Sequence, residues 1–254
     1  MKQLIRFFLS HLPRPWLIRF SLIFMKFAVV FYRGNQVECP VCNGRFRKLL
    51  PYGYNKVREN ALCPQCFSLE RHRLLWLYLK SRTDFFSSPL KVLHLAPEQC
   101  FYKRFRKMEN LTYITADLES PLADVKLDAQ EMPFGDHEFD VVICNHVLEH
   151  VPDDRKAIRE IYRVLKQNGF AILQVPTDYC AEKTYEDSSI TDPSDREKHF
   201  RQKDHYRLYG RDYLNRLAEA GFIIKEENYL FSVSIEDRAR YRLPEMEFMY
   251  GYYK

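Results

Sequence analysis

The chain has 254 residues, 46% of them hydrophobic, and a formal net charge of +5. This length and apolar content are ample for a hydrophobic core and predict one main domain with an appendage. Six of the 39 basic residues and none of the 34 acidic ones lie in residues 1–33, so the rest of the chain has a net charge of −1. That charge argues against nucleic acid as the ligand of the main domain, because such binding mainly neutralises phosphates.

Residues 1–34 are predicted to form an apolar and basic amphipathic helical segment. Its charged residues interrupt every apolar run before the ~20 residues that a membrane-spanning helix needs, and the absence of a small-residue cleavage site argues against a secretory signal. One face would carry Leu17, Phe20, Phe24, Phe27 and Phe31, and another would carry Arg19, Lys26 and Arg33. Such a helix either lies in a membrane surface or packs on the protein's own core or on a partner chain.

Two CxxC pairs follow, Cys39-Pro-Val-Cys42 and Cys63-Pro-Gln-Cys66, with twenty residues between them. This spacing predicts a zinc ribbon over residues 35–70, in which the four thiolates hold a structural Zn²⁺ and leave no open position. Four unrelated buried cysteines are the alternative. Paired thiols suit a reducing compartment, so we expect a cytoplasmic protein, peripheral at the inner membrane face if residues 1–33 bind lipid.

The segment between the two CxxC pairs is basic and aromatic. It contains Arg45, Arg47, Lys48, Lys56 and Arg58, interleaved with Phe46, Tyr52 and Tyr54. This composition suits single-stranded nucleic acid, and it is equally expected on the charged surface of a small metal-held module. A helix over 69–79 then leads into the next domain.

Two strands with polar ends are predicted next. Residues 91–98 form a strand and its turn, and residues 111–117 form a second strand that ends in Asp117. Asp117 lies twenty-three residues after His94. That spacing fits a βαβ unit in which the acid at the end of the second strand accepts hydrogen bonds from ribose hydroxyls.

The segment 140–151 gives the clearest functional signal. Residues 141–144 read as a buried strand, and the polar side chains of Asn145, His146, Glu149 and His150 follow directly. In open α/β sheets, ligands bind at the carboxyl ends of the strands. We therefore expect these four side chains at a binding site.

Together with Met132–Phe139 before this segment and a helix from Asp153 to about Lys166 after it, residues 90–228 resemble a class I S-adenosylmethionine-dependent methyltransferase of type 11. The resemblance implies a Rossmann-like α/β domain over residues 71–254, S-adenosylmethionine as the cofactor and methyl transfer as the activity. A zinc ribbon ahead of such a domain is also similar to certain bacterial ribosomal-RNA guanine methyltransferases, at the level of architecture alone.

The resemblance implies a cofactor site composed of His94, Ala96, Glu98, Asp117, Leu118, Asp128, Ala129, Asn145 and His146. In this site Asp128 meets the adenine amino group, and Asn145 and His146 close over the methionine part. The first turn departs from the family, because Ala96-Pro97-Glu98 replaces Gly-x-Gly and Pro97 removes a backbone donor. This turn favours the alternative of a non-catalytic zinc-ribbon binding protein on a degenerate methyltransferase fold, whereas the ordered acids Asp117 and Asp128 favour catalysis.

The expected catalytic residues are His146, Glu149, His150 and His205. The first three share one face of a helical turn, and His205 belongs to a polar segment, residues 177–209, that we interpret as a substrate lid. The spacing resembles the Glu-x-x-Glu-His metal site of ubiquinone-biosynthesis O-methyltransferases and small-RNA 2′-O-methyltransferases, with His146 in place of the first Glu. This implies a second divalent ion. The alternatives are a general base at His150 or His205, and a Glu149 that caps the turn or pairs with Arg155.

The acceptor is left open by the sequence. A lipid, quinone or glycan intermediate would use the apolar N-terminal segment, and RNA would use the basic residues between the CxxC pairs. The remaining elements are a strand over 170–176, a helix over 210–222 stopped by Gly221, and strand-like pieces over 223–226 and 228–233.

Overall fold

The computed structural model describes residues 29–53, 57–120, 123–224, 228–247, 249 and 251–254. The predicted N-terminal helical segment lies mostly outside these residues, and of it only residues 29–32 are seen to be helical. Within the described ranges we find no helix with the length and hydropathy of a membrane span. The chain divides into two compact units.

The first unit consists of the described residues up to Leu77 together with Val233–Glu247. Two antiparallel hairpins form its sheet part: β1 (Arg33–Cys39) with β2 (Gly44–Phe46), and β3 (Leu50–Tyr52) with β4 (Arg58–Leu62). Each CxxC pair begins where one strand of a hairpin ends, at Cys39 and directly after Leu62. Helix α1 (Glu70–Arg82) is divided between the two units.

The predicted second domain spanned residues 71–254, whereas the structure assigns Val233–Glu247 to the first unit. Arg73 explains this assignment, because its buried guanidinium donates to the carbonyls of Tyr241 and Arg242 at 2.6 Å each. Arg240 adds an ion pair with Glu38 at 2.6 Å. The helix Ile235–Tyr241 therefore belongs to the first unit, although about 150 residues of the other unit precede it.

The second unit, Tyr78–Ser232 with Phe248–Lys254, contains a seven-stranded sheet of order β12-β13-β9-β8-β5-β6-β7. Its strands are β5 (Leu90–Leu95), β6 (Leu111–Asp117), β7 (Val125–Lys126), β8 (Phe139–Asn145), β9 (Leu165–Gln174), β12 (Ile223–Ile224) and β13 (Tyr252–Tyr253). Strands β5 to β9 are parallel, and β13 is antiparallel to both of its neighbours. Two further strands, β10 (Tyr185–Glu186) and β11 (Arg207–Leu208), form a separate antiparallel pair.

The helices of this unit are α2 (Gln99–Phe105), α3 (Asp154–Val164), α4 (Pro193–Phe200), α5 (Tyr213–Glu219) and α6 (Tyr229–Ser232), with a 3₁₀ turn at Leu148–His150. Asp153 caps α3 by accepting from the Lys156 N–H. Helix α3 ends at Val164 rather than near Lys166, because β9 starts at the next residue. The predicted strand over 228–233 is wrong, since α6 occupies it; a short apolar run does not distinguish the two structures.

The order of the strands fixes the position of a binding crevice. From the central β5 the chain moves to β6 and β7 on one side and then crosses to β8 and β9 on the other. Such a reversal is a topological switch point, where the carboxyl ends of the two flanking strands open a crevice for ligands. The predicted Rossmann-like α/β fold is confirmed, and the ends of β5 and β8 border its crevice.

Candidate active site and cysteine cluster

The turn after β5 has the backbone shape of a glycine turn without a glycine. Ala96 has a φ of 47° and donates its N–H to the Ala116 carbonyl at 2.8 Å. The left-handed region costs an L-residue with a Cβ roughly 1–2 kcal/mol. The segment Ala96-Pro97-Glu98 therefore forms the close turn that Gly-x-Gly forms in the family, but it does so with backbone strain beside the crevice.

Glu98, two residues further on, joins the ends of β5 and β8. One carboxylate oxygen lies 2.6 Å from His94 Nε2, and the other accepts from Asn145 Nδ2 at 2.9 Å. His94 is fully buried, and its Nδ1 lies 2.8 Å from the hydroxyl of Tyr113. Burial, reinforced by Glu98, raises the pKa of Tyr113 well above its usual value, so Tyr113 stays a neutral partner. The buried His94 thus positions the carboxylate of Glu98 between the ends of β5 and β8.

The end of β6 presents an acid beside an exposed leucine. Oδ1 of Asp117 accepts from the backbone N–H groups of Glu119 and Ser120 at 2.8 Å each, which orders the following loop. Leu118 is 56% exposed although it is apolar. An acid next to an exposed apolar side chain suits a ligand with both hydroxyl groups and a flat ring.

Asp128 and Ala129 lie in the next loop. The N–H of Leu127 donates to the carbonyl of Asp117 at 3.2 Å, which brings Asp128 close to the end of β6. The Asp128 carboxylate accepts from the backbone and side-chain amides of Gln130, and Ala129 is buried. The predicted cofactor residues therefore come from four consecutive parts of one sheet edge.

The end of β8 is strained and rich in unpartnered polar atoms. His146 has a φ of 54°, and its N–H donates to the carbonyl of Gln174 at 2.8 Å. Among the described residues, the buried atoms without a hydrogen-bond partner include Asn145 Oδ1, His146 Nε2, Glu149 Oε2, His205 Nε2 and both amide atoms of Gln174. Buried polar atoms are normally paired, so such a concentration indicates a place where a ligand or an ion binds.

Glu149, His150 and His205 converge at this point, and we call them the His–Glu cluster. One ligand atom from each lies within 4.8 Å of the others. The rings of His150 and His205 meet edge to face with their centroids 4.7 Å apart. His146 also contacts the cluster, since its Nδ1 lies 3.3 Å from Glu149 Oε1. Glu149 and His150 lie on a 3₁₀ turn, Leu148–His150, and not on the α-helical turn that the spacing predicted.

His205 is held in one orientation. Its Nδ1 lies 3.1 Å from the carbonyl of Phe200, so Nδ1 carries the proton and Nε2 offers a lone pair. Burial lowers the pKa of His205, which keeps the ring neutral near pH 7. His150 differs, because it is partly exposed and its Nδ1 lies 3.1 Å from Asp204. A neutral imidazole fixed through Nδ1 suits either a metal ligand or a general base.

The predicted lid, residues 177–209, contains β10, α4 and β11. Its residue Arg207, which the sequence analysis missed, is buried and donates to the carbonyls of Leu148, Val151 and Pro152 at 2.6–2.8 Å. The N–H of Tyr206 also donates to the carbonyl of Glu149 at 2.8 Å. These bonds attach the lid to the segment that carries Glu149, and this attachment brings His205 into the cluster.

A buried ionic network supports the same attachment. Asp154 accepts from Arg216 Nη1 at 2.9 Å and from the hydroxyl of Tyr209 at 2.8 Å. Arg216 Nη2 also donates to Glu186 of β10 at 2.8 Å. The predicted alternative pairing of Glu149 with Arg155 is not formed, since Arg155 pairs with Glu219 and Glu186 instead.

In the first unit, Cys39, Cys42, Cys63 and Cys66 form a cysteine cluster. Sγ of Cys39 lies 3.6 Å from Sγ of Cys66, and Sγ of Cys42 lies 3.7 Å from Sγ of Cys63. Four sulfurs placed tetrahedrally at 2.3 Å from a zinc ion would be about 3.8 Å apart. The separations therefore fit a shared metal ion and are far too long for disulfide bonds.

The backbone has the same conformation directly after each of the two CxxC pairs. Asn43 and Phe67, which follow the second cysteine of each pair, have φ values of 55° and 62°. The same left-handed step lets both pairs turn their sulfurs to one point. The buried hydroxyl of Ser68 lies 3.1 Å from Cys39 Sγ and 3.3 Å from Cys66 Sγ, where it supports two of the possible ligands.

Known proteins resemble the central part of the second unit. Residues 93–173 match the family model of type 11 methyltransferases, described as "Methyltransferase domain". The uncharacterized methyltransferase YcgJ of Bacillus subtilis is 47% identical over 45 residues, 18% of each chain. A demethylmenaquinone methyltransferase of Staphylococcus aureus is 37% identical over 67 residues, 25% of this chain and 28% of that protein. The chain thus spans less than a third of the curated relatives it matches.

A solved structure extends the likeness to 70% of the chain. An S-adenosylmethionine-dependent methyltransferase from Mesorhizobium loti is 14% identical, with a TM-score of 0.50 over 70% of this chain and 96% of that one. An identity this low speaks for the fold alone. The strand order of the second unit and this likeness agree on a Rossmann-like α/β fold of the kind found in class I methyltransferases, and the family match lies within it over residues 93–173.

Proposed function

We propose that the protein transfers a methyl group from S-adenosylmethionine to an acceptor, with the cofactor bound in the crevice between β5 and β8. The observation that carries this proposal is the polar edge at the switch point, where Glu98, Asp117, Asn145 and His146 follow the ends of adjacent parallel strands. The family match over residues 93–173 covers this same edge. When bound, the cofactor supplies a methyl group on a sulfonium, which an in-line nucleophile removes.

The residues of the crevice fit the groups of this cofactor. The carboxylate of Asp117 offers acceptors for the ribose hydroxyls, and the exposed Leu118 offers a face for the adenine ring. Asp128 is proposed to meet the adenine amino group. Glu98 and the unpartnered Oδ1 of Asn145 are both acceptors, which suits the ammonium of the methionine part.

Removal of the Asp117 carboxylate tests the cofactor site. Asp117→Ala should weaken S-adenosylmethionine binding by tens- to hundredfold, since two charge-assisted hydrogen bonds are worth on the order of 2–4 kcal/mol. Isothermal titration calorimetry with the cofactor measures this change.

Asp117→Asn is the matched variant, because its amide oxygen can still accept from the backbone of Glu119 and Ser120. We expect Asp117→Asn also to bind at least about tenfold more weakly, since an amide holds ribose hydroxyls less well. Full affinity in Asp117→Asn would show that Asp117 only orders the loop. No binding to the wild-type protein would favour the alternative, a non-catalytic binding protein on a degenerate methyltransferase fold.

The His–Glu cluster is proposed to take the proton of the acceptor. The convergence of one carboxylate and two imidazoles within 4.8 Å supports a bound divalent ion that lowers the pKa of the acceptor group. His205, neutral and with a free Nε2, also suits a general base without a metal. These two roles differ in their sensitivity to metal removal.

A lipid, quinone or glycan intermediate is proposed as the acceptor in preference to RNA. The residues after 33 carry a net charge of −1, which gives a polyanion little to bind. One relative is named a demethylmenaquinone methyltransferase, and its similarity over 67 residues supports the same preference. RNA, the second candidate, would depend on exposed basic residues of the first unit such as Arg45 and Arg47.

A structural Zn²⁺ in the cysteine cluster is proposed to hold the first unit together as a zinc ribbon. Two hairpins of three to seven residues per strand make a small module, and metal binding supplies folding energy in modules of this kind. The sulfur separations and the matched turns support this proposal.

The N-terminal segment is proposed to bind anionic membranes. In that state its aromatic side chains would enter the lipid interface while Arg19, Lys26 and Arg33 meet phosphates. The full chain should co-sediment with vesicles that contain phosphatidylglycerol, and a truncation that starts at Asn35 should stay in the supernatant. Equal sedimentation of both chains would favour packing of the segment on the protein itself.

A further inference from the structure

We propose that the methyl acceptor binds through a planar, anionic ring in a cavity at the end of β9, an inference that rests on the proposed methyl transfer and narrows its acceptor. The cavity measures about 180 Å³ and lies between the end of β9, β13 and the start of α5. Its walls include Gln174, Tyr179, Arg211, Tyr213, Leu214 and Tyr252. None of the residues assigned to the cofactor or to the His–Glu cluster lines it.

The size of the cavity selects a single ring. An apolar cavity of about 150 Å³ inside a protein accommodates benzene. A volume of about 180 Å³ therefore suits one six-membered ring with a small substituent. Three tyrosines and a leucine supply flat and apolar walls, against which an aromatic or quinone-like ring packs by offset or edge contacts.

Two polar groups in the walls have unused capacity. Gln174 is 5% exposed, and neither its amide nitrogen nor its amide oxygen has a partner among the described residues. Arg211 is exposed at the mouth and forms no ion pair within the described part of the chain. An amide that both donates and accepts, next to an unpaired guanidinium, recognises a carboxylate or an ionised hydroxyl on the ring.

The location connects the cavity with the proposed methyl donor. Gln174 is the register partner of Asn145 on the neighbouring strand, and its carbonyl accepts from the N–H of His146. Neighbouring strands are about 4.8 Å apart. A ring seated beside Gln174 would thus hold its reactive substituent within one strand spacing of the cofactor crevice, which is the approach that in-line transfer requires.

The test uses two ring probes that differ in charge, 4-fluorobenzoate and 4-fluorobenzyl alcohol, titrated against the full-length protein by fluorine NMR. We expect the benzoate to bind about tenfold more tightly than the alcohol, and Arg211→Ala to remove that difference. Leu214→Trp should abolish binding of both probes by filling the cavity. Arg159→Ala is the matched control, because Arg159 is exposed on α3, also forms no ion pair within the described residues and does not line the cavity.

Equal binding of the two probes, no binding of either, or full benzoate affinity in Arg211→Ala would each overturn the proposal. Calorimetry with S-adenosylmethionine on the same samples keeps this result separate from the proposed function. Cofactor binding without probe binding would reject the acceptor cavity alone. The expected probe pattern without cofactor binding would leave an anion-selective ring site and reject methyl transfer.

Discussion

Replacement of Cys39 by serine is expected to release the metal of the cysteine cluster and to unfold the first unit. Free energies of about 10–16 kcal/mol have been assigned to structural Zn²⁺ in small modules, where binding energy is folding energy. A loss of this size is comparable to the whole stability of an ordinary domain, which is about 5–15 kcal/mol. Elemental analysis of protein purified without added metal should fall from about one zinc per chain to near zero.

Cys180→Ser is the control for this experiment. Cys180 is exposed and lies in the second unit, outside the cysteine cluster, so its replacement should leave zinc content and thermal unfolding unchanged. The proposal of a zinc ribbon would have to be withdrawn if Cys39→Ser kept both its zinc and its melting curve. Four unrelated buried cysteines would then be the better description.

His150→Ala should reduce turnover by about a hundredfold or more while the affinity for S-adenosylmethionine barely changes. The reason is the position of His150, whose ring meets His205 in the His–Glu cluster and not in the crevice of Glu98 and Asp117. Cofactor affinity from calorimetry and turnover from the formation of S-adenosylhomocysteine give the two quantities separately. His199→Ala, a change of an exposed histidine in α4, should alter neither.

Metal removal distinguishes the two roles of the His–Glu cluster. If the cluster binds a divalent ion, a chelator should stop turnover and one of Mg²⁺, Mn²⁺ or Zn²⁺ should restore it. Turnover that survives chelation would assign the proton to His205 as a general base. The zinc content must be followed throughout, because the chelator also acts on the cysteine cluster. A His150→Ala variant that loses stability but not turnover would reduce His150 to a packing residue.

The local sequence pattern was sufficient to predict those helices and strands whose residues alone determine their structure. The run of residues 141–144 predicted β8 because a strand buried on both faces is apolar throughout. The stop at Gly221 was predicted because glycine often ends helices, and the φ of 102° at Gly221 agrees with that role. The ends of β5, β6 and β8 follow from chain order, so the polar edge of the sheet could be predicted as well.

Long-range features had no such signal. Arg207 is buried because carbonyls about 55 residues earlier accept from it, and no periodicity records that contact. Strand β13 has two residues, too few for an alternating pattern, and it joins the sheet beside β9. Arg73 binds carbonyls about 170 residues later, which is why the first unit extends to Val233–Glu247. The sequence therefore predicts which side chains belong to the site, but it does not predict the distant residues that hold them in place.

The interleaving of the two units has a consequence for the order of events on the ribosome. Domains of a chain generally fold from the N-terminus as they emerge. Here the first unit lacks Val233–Glu247 until Tyr78–Ser232 of the second unit has been made, and the sheet of the second unit lacks β13, which separates β12 from β9. Both units therefore remain incomplete during synthesis until Val233–Glu247 and β13 have been made. Chaperone capture during synthesis would therefore act on both units at once.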